Sequence, residues 1–161
     1  MARKFTILWF DTYLQLIKNS VKAESYRNFY VQQKGKKKDI LQHGELSCAW
    51  FVTSILLPFS LINKAHVTVD TTVLALKKSG WKKISKPRLG CIIVWQEIKY
   101  PDGENHGHIG FYLGNHRAIS NSTTRGYPVK HHWTYGCKSG QPRRGVKLLL
   151  WHPKLTTWPK Y

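Results

Sequence analysis

Between Ala49 and Leu57 the chain is polar only at Thr53 and Ser54, and neither is charged. A helix so apolar around its circumference belongs inside a domain, and Pro58 is a natural stop for it. Ahead of it, Phe5, Leu8, Trp9, Tyr13, Leu16 and Ile17 recur at helical spacing and predict an outer helix over 4–21. Residues 22–43 are polar, and Lys34-Gly35-Lys36-Lys37-Lys38 reads as a solvated loop or basic patch. After an apolar connection at 59–62, a second helix starts near 68–71 and runs through Val73, Leu74 and Leu76. Lys77 and Lys78 suit its last turn and Gly80 its C-terminal stop, so an amphipathic surface helix is expected.

From Trp81 the period changes. Lys86-Pro87-Arg88-Leu89-Gly90 reads as a turn into a buried strand at 91–95. A loop at 101–105 precedes a strand at 108–113, and Gly114-Asn115-His116-Arg117 makes a hairpin into 118–121. Further strands are predicted at 129–133 and 146–152. Helices followed by an antiparallel sheet of about four or five strands make an α+β layout. No linker or repeat divides the chain, so 1–161 is expected to be one domain and a monomer. Its parts are an N-terminal helix and basic loop (1–43), two helices (44–80) and a sheet (81–155).

Composition narrows the partners. The chain carries 26 Lys and Arg against 8 Asp and Glu, a net charge of +18, which attracts anions: nucleic acid, anionic lipid or an acidic cell-wall polymer. Seven Trp and eight Tyr could stack bases, so a nucleic-acid or polyanion-binding module is the rival to an enzyme. The basic N-terminus has no uninterrupted apolar stretch, since Asp11, Gln15 and Lys18 break it, and no small-residue cleavage site follows. Cytoplasmic synthesis without a signal peptide, and no membrane span, are the expectations.

Cys48 opens the apolar helix, with Ser47 as a good N-cap residue. A thiol at a helix start is expected to have its thiolate stabilised by the unpaired N–H groups and the macrodipole. A nucleophilic cysteine also needs a base and an orienter for that base. Among eight histidines, His108 stands out because it opens a strand after a Gly-containing loop at the edge of the sheet. A turn centred on Gly114 sets Ser120 across from His108, with Asn121 on the other face unless a bulge intervenes. Asn is chemically the better acceptor for an imidazole N–H, so Ser120 and Asn121 both stand as the third member. His106 and His108 form an HxH that His131, His132 or a cysteine would complete as a zinc set. No ligand pair has knuckle or helical spacing, so neither metal nor other cofactor is expected. Trp50, His106, His131, His132 and Trp133 are candidate substrate-groove residues. Cys48, Cys91 and Cys137 form no CxxC pair, and GxSxG, P-loop, GxGxxG and HExxH motifs are all missing.

Three stretches together resemble the NlpC-type cysteine peptidases, papain-like cell-wall hydrolases. They are Ser47-Cys48-Ala49-Trp50-Phe51-Val52, Pro87-Arg88-Leu89-Gly90-Cys91-Ile92-Ile93-Val94-Trp95 and Gly107-His108-Ile109-Gly110-Phe111-Tyr112-Leu113-Gly114-Asn115, in the family's order over about 40–122. The resemblance implies a papain-like fold, with Cys48 as nucleophile, His108 as base and the third polar residue at or beside Ser120. It implies cleavage of an amide bond, most naturally in a peptidoglycan stem peptide, at the cell wall after release from the cytosol. Acyl transfer or deamidation on the same fold is the related alternative. The chain departs from the family pattern at Ser47, where Asp is usual, and in lacking the Asp of the "PGD" turn, as a divergent branch would.

Overall fold

A computed structural model of the chain describes residues 5–101 and 103–161. In it, α1 (Trp9–Asn19) leads into a hairpin of β1 (Tyr30–Gln33) and β2 (Lys36–Asp39), followed by α2 (Cys48–Leu56) and α3 (Val69–Lys78). The strands then run β3 (Lys82–Lys83), β4 (Ile92–Lys99), β5 (Asn105–Tyr112), β6 (Arg117–Ser122) and β7 (Tyr127–His132). A small hairpin of β8 (Cys137–Lys138) and β9 (Gln141–Pro142) precedes β10 (Val146–Trp151) and the short α4 (Lys154–Thr157). The fold is mixed α+β, and its main sheet is antiparallel with the order β3-β10-β4-β5-β6-β7. Six strands exceed the four or five expected because β3 is two residues long, too short to show any periodicity. Among the described residues no helix is long and apolar enough to cross a membrane.

Residues 109 and 111 of β5 and their partners define the helix-bearing face of the sheet. Phe111 takes edge contacts from Phe51 of α2 at 5.6 Å and from Tyr13 of α1 at 6.0 Å. Ile92 and Ile119 pair with Phe111, and Val94 with Ile109, so strand alternation puts all of them on that face, where the core lies. The opposite face carries Trp95, His108, Gly110 and Ser120, with Tyr135 packed edge-on against Trp95 at 5.6 Å.

The helix predicted over 4–21 spans only Trp9–Asn19, and its first residue, Lys4, lies outside the described residues. Its buried stripe is Phe10, Tyr13, Leu14 and Ile17, whereas Trp9 and Leu16 stay 41% and 36% exposed and Phe5 is 82% exposed. Apolar residues occupy both stripes, and a tertiary contact selects between them: the Tyr13 hydroxyl donates to Gly90 O at 2.7 Å. Gly90 has φ +85°, a conformation that favours glycine, and a Cβ there would lie 3.0 Å from the Tyr13 ring. The polar stretch read as a loop holds the β1–β2 hairpin instead, turned by Lys34 and Gly35 at positive φ with its lysines exposed. The second helix matches its expected bounds. Its N-cap Thr68 accepts from Thr71 N, with Lys77 and Lys78 in the last turn and Gly80 beyond.

The β5–β6 hairpin is centred one residue later than expected. Gly110 pairs with Ser120 and Tyr112 with Ala118, which puts the centre at Asn115, not Gly114. That change shifts the pairing by two residues, so side-chain parity is kept and Ser120 still shares a face with His108, now as its diagonal neighbour. Gly110 makes the diagonal reach possible. A Cβ there would lie 2.5 Å from Ile119 O, 2.7 Å from Ser120 Cβ and 3.1 Å from the Trp95 ring. Gly110→Ala is expected to cost about 1–3 kcal/mol by overpacking, read as a lower denaturant midpoint at unchanged slope.

Candidate active site

Cys48 stands at the start of α2 with the first intrahelical bond, Phe51 N to Ser47 O at 2.8 Å, just beyond it. Ser47 does not act as the expected cap. Its φ −87° and ψ 2° are not the extended conformation of a capping residue, and its buried hydroxyl has no hydrogen-bond partner. The N–H groups of Ala49 and of Cys48 itself, in the first turn, favour the charged form of the thiol. The N–H of Ile109 on the sheet acts on it in the same sense. Tyr112 N donates across to Cys91 O on the β4 side, so alternation aims the Ile109 N–H toward β6. The β5–β6 pairing stops at Gly110–Ser120. Where that pairing ends, the Ile109 N–H faces the thiol.

His108 does not open its strand or lie at a sheet edge, as the sequence suggested. Strand β5 begins at Asn105 and is flanked by β4 and β6, which leaves His108 only 5% exposed. The Gly103-containing loop ends sooner than the histidine-rich pattern implies because the β4–β5 ladder continues through His106 and Asn105 across a bulge. Cys48 and His108 line one cleft of about 430 Å³, together with Thr68, Tyr100 and His106.

Behind His108 lies a chain of hydrogen bonds that sets its tautomer. His131 Nδ1 is 2.7 Å from His132 O, an atom that only accepts, so this nitrogen carries the proton and His131 Nε2 is an acceptor. The Ser120 hydroxyl, 2.8 Å away, must donate to it. Having spent its one proton, Ser120 Oγ accepts from His108 Nε2 at 2.9 Å and from the Tyr135 hydroxyl at 3.0 Å. His108 is thus protonated on Nε2, and its Nδ1, without a hydrogen-bond partner among the described residues, is the free base. Trp95 supports the group: its ring lies 5.3 Å from His108 and 5.7 Å from His131, and its indole N–H donates to Trp133 O at 2.6 Å.

Burial favours the neutral form of both reacting groups. It pushes the Cys48 thiol up to about 11, with the Ile109 and Ala49 N–H groups and the Arg144 cation opposing it. This reverses the expectation of a stabilised thiolate, because desolvation outweighs the helix start. Burial, with the charge of Arg144 and His131, brings His108 down to about 3. Burial also holds His131 below its usual value and raises Tyr135 to about 12. The resting pair is therefore thiol and neutral imidazole.

The remaining predicted residues separate. Asn121 is not the orienter: it points to the helix-bearing face, where its amide donates to Gly44 O at 2.6 Å and fixes the segment before α2. His131 belongs to the relay behind Ser120, not to the groove for which it was a candidate. Trp50 packs edge-on against Phe29 at 5.0 Å, outside the cleft. The His132 ring is turned away, with Nδ1 accepting from Thr134 and Gly136 N–H groups and the ring stacked on His116. Trp133 packs against Tyr112 at 5.7 Å. Of the five groove candidates only His106 lines the cleft with Cys48. Among the described residues no group of three His, Cys, Asp or Glu is placed to hold a metal.

Two members of the site carried no sequence signal. Tyr135 sits in a turn at φ +59°, and Arg144 is one of a pair of arginines in a Pro- and Gly-containing loop of a very basic chain. No family model matches the chain, and no curated protein matches its sequence.

Proposed function

We propose that the protein is a papain-like cysteine hydrolase of amide bonds, with Cys48 as nucleophile, His108 as base and Ser120 as the residue that orients it. The observation that carries this reading is the Ser120 bridge. It leaves His108 Nδ1 as the free base in the same cleft as a thiol at a helix start. His108 Nδ1 takes the thiol proton as sulfur bonds to the carbonyl carbon, since the pair rests neutral. The N–H of Cys48 at the helix start turns from the sulfur to help hold the oxyanion. The C–N bond then breaks, the imidazolium returns the proton to the leaving amine, and water activated by His108 hydrolyses the thioester.

The +18 charge favours an anionic substrate such as peptidoglycan, whose stem peptides are the first candidates. Wild type is expected to release new amino groups from cell-wall material or synthetic stem peptides, and Cys48→Ala to release none. Release that continues in Cys48→Ala would overturn the reading.

A further inference from the structure

Arg144 is 9% exposed, yet among the described residues no carboxylate pairs with it. Nε donates to Gln96 O and Nη2 to His106 O, both at 3.0 Å, which employs two of its five N–H groups. A buried guanidinium without a counter-charge is costly, and such cations are ordinarily paired. Its charge acts on Cys48, His108 and Tyr135 together. It also lines a second cavity of about 320 Å³, shared with His108, Ser120, Tyr100, Tyr135 and Arg143.

The two cavities meeting at His108 differ in charge. The Cys48 cleft is bordered by Glu45, Asp70, Glu97 and Glu104, four of the chain's eight acids. The second cavity is lined by Arg143 and Arg144 and by no acid among its described residues. Glu97 of the first is paired with Lys147 at 3.0 Å, and the second is the more favourable of the two for a carboxylate. The planar guanidinium, with N–H groups to spare, suits a carboxylate better than a neutral amide.

We infer that Arg144 is the anion-binding residue of this site, and that the substrate carries a carboxylate near its scissile amide, seated on the Ser120–Tyr135 side of His108. The inference rests on the proposed hydrolase reading and names its substrate class: the substrate supplies a counter-charge that the described residues do not.

The test uses the full chain and compares iodoacetate with iodoacetamide as alkylating agents of Cys48, read by mass spectrometry at fixed ionic strength. Exposed Cys137 serves as the internal reference for the general positive field. Wild type is expected to favour iodoacetate at Cys48, relative to Cys137, by roughly tenfold. Arg144→Gln should bring that preference to about one, and Arg144→Lys should retain part of it. Because Arg144 also ties β4 to β5, a measurement on wild type alone accompanies the variants. N-acetylglycine should protect Cys48 from iodoacetamide, and N-acetylglycinamide should not. Equal preference for the two reagents in wild type, with no protection by the acid, overturns the inference. If Cys48 labelling then still depends on His108, the hydrolase reading survives without it. If Cys48 reacts with neither reagent, both fall.

Discussion

Cys48→Ala and His108→Ala are each expected to lower amide turnover by about 10⁴-fold or more, and the double variant by little beyond that. In the proposed mechanism nucleophile and base act in one proton transfer, so removing either forfeits the whole step. The dependence on His108 is sharpened by the raised pKa of the half-buried thiol. With Cys48 near 11, the thiolate is scarce at neutral pH, and attack needs a base that accepts the proton as the C–S bond forms. A site holding a preformed ion pair would retain thiolate over a wide pH range, whereas here burial favours thiol and neutral imidazole. Substrate cleavage assayed alongside circular dichroism separates lost chemistry from lost fold. Ser120 retains hydrogen bonds to His131 and Tyr135 when the His108 ring is removed, which favours survival of the fold.

Acid lability is the second large effect. The unfolded chain protonates His108 near its ordinary value of about 6.5, whereas in the folded chain burial, with Arg144 and His131 nearby, delays protonation until about 3. The lowered folded value means that the neutral histidine's contribution is present above about pH 6.5 and is lost progressively as pH falls toward 3. Each tenfold drop in proton affinity on folding corresponds to about 1.4 kcal/mol, so the loss across that window is on the order of several kcal/mol. His131, His152 and His66 are lowered in the same sense and add to it. Denaturant unfolding of wild type and His108→Gln at pH 7 and pH 4.5 isolates the His108 share. The wild type should lose more stability between the two conditions than the variant does.

The helices-then-sheet order, α3 and its caps, and the shared face of His108 and Ser120 were legible because each follows from a short-range pattern: apolar period, turn chemistry or strand parity. What the pattern could not supply came from contacts distant in sequence. The choice of buried stripe on α1 rests on Gly90, about 80 residues away in the chain. Asn121 looked chemically superior to Ser120 as an orienter, but parity turns it to Gly44, and it is the Ser120 hydroxyl that meets His108, with His131 and Tyr135 joined to it. Cys48 at a helix start suggested an acidic thiol, and only burial in the fold shows desolvation prevailing. Arg144 is invisible in sequence because a lone buried cation differs from a surface one only by its surroundings.

Whether His108 is the base for Cys48 is measured most directly by the rate at which a peptide-like vinyl sulfone labels Cys48 at pH 7. Labelling should be faster at Cys48 than at Cys137, with a fall of about 10²-fold or more at Cys48 alone in His108→Ala. An unchanged Cys48 rate in a folded His108→Ala chain would contradict that assignment.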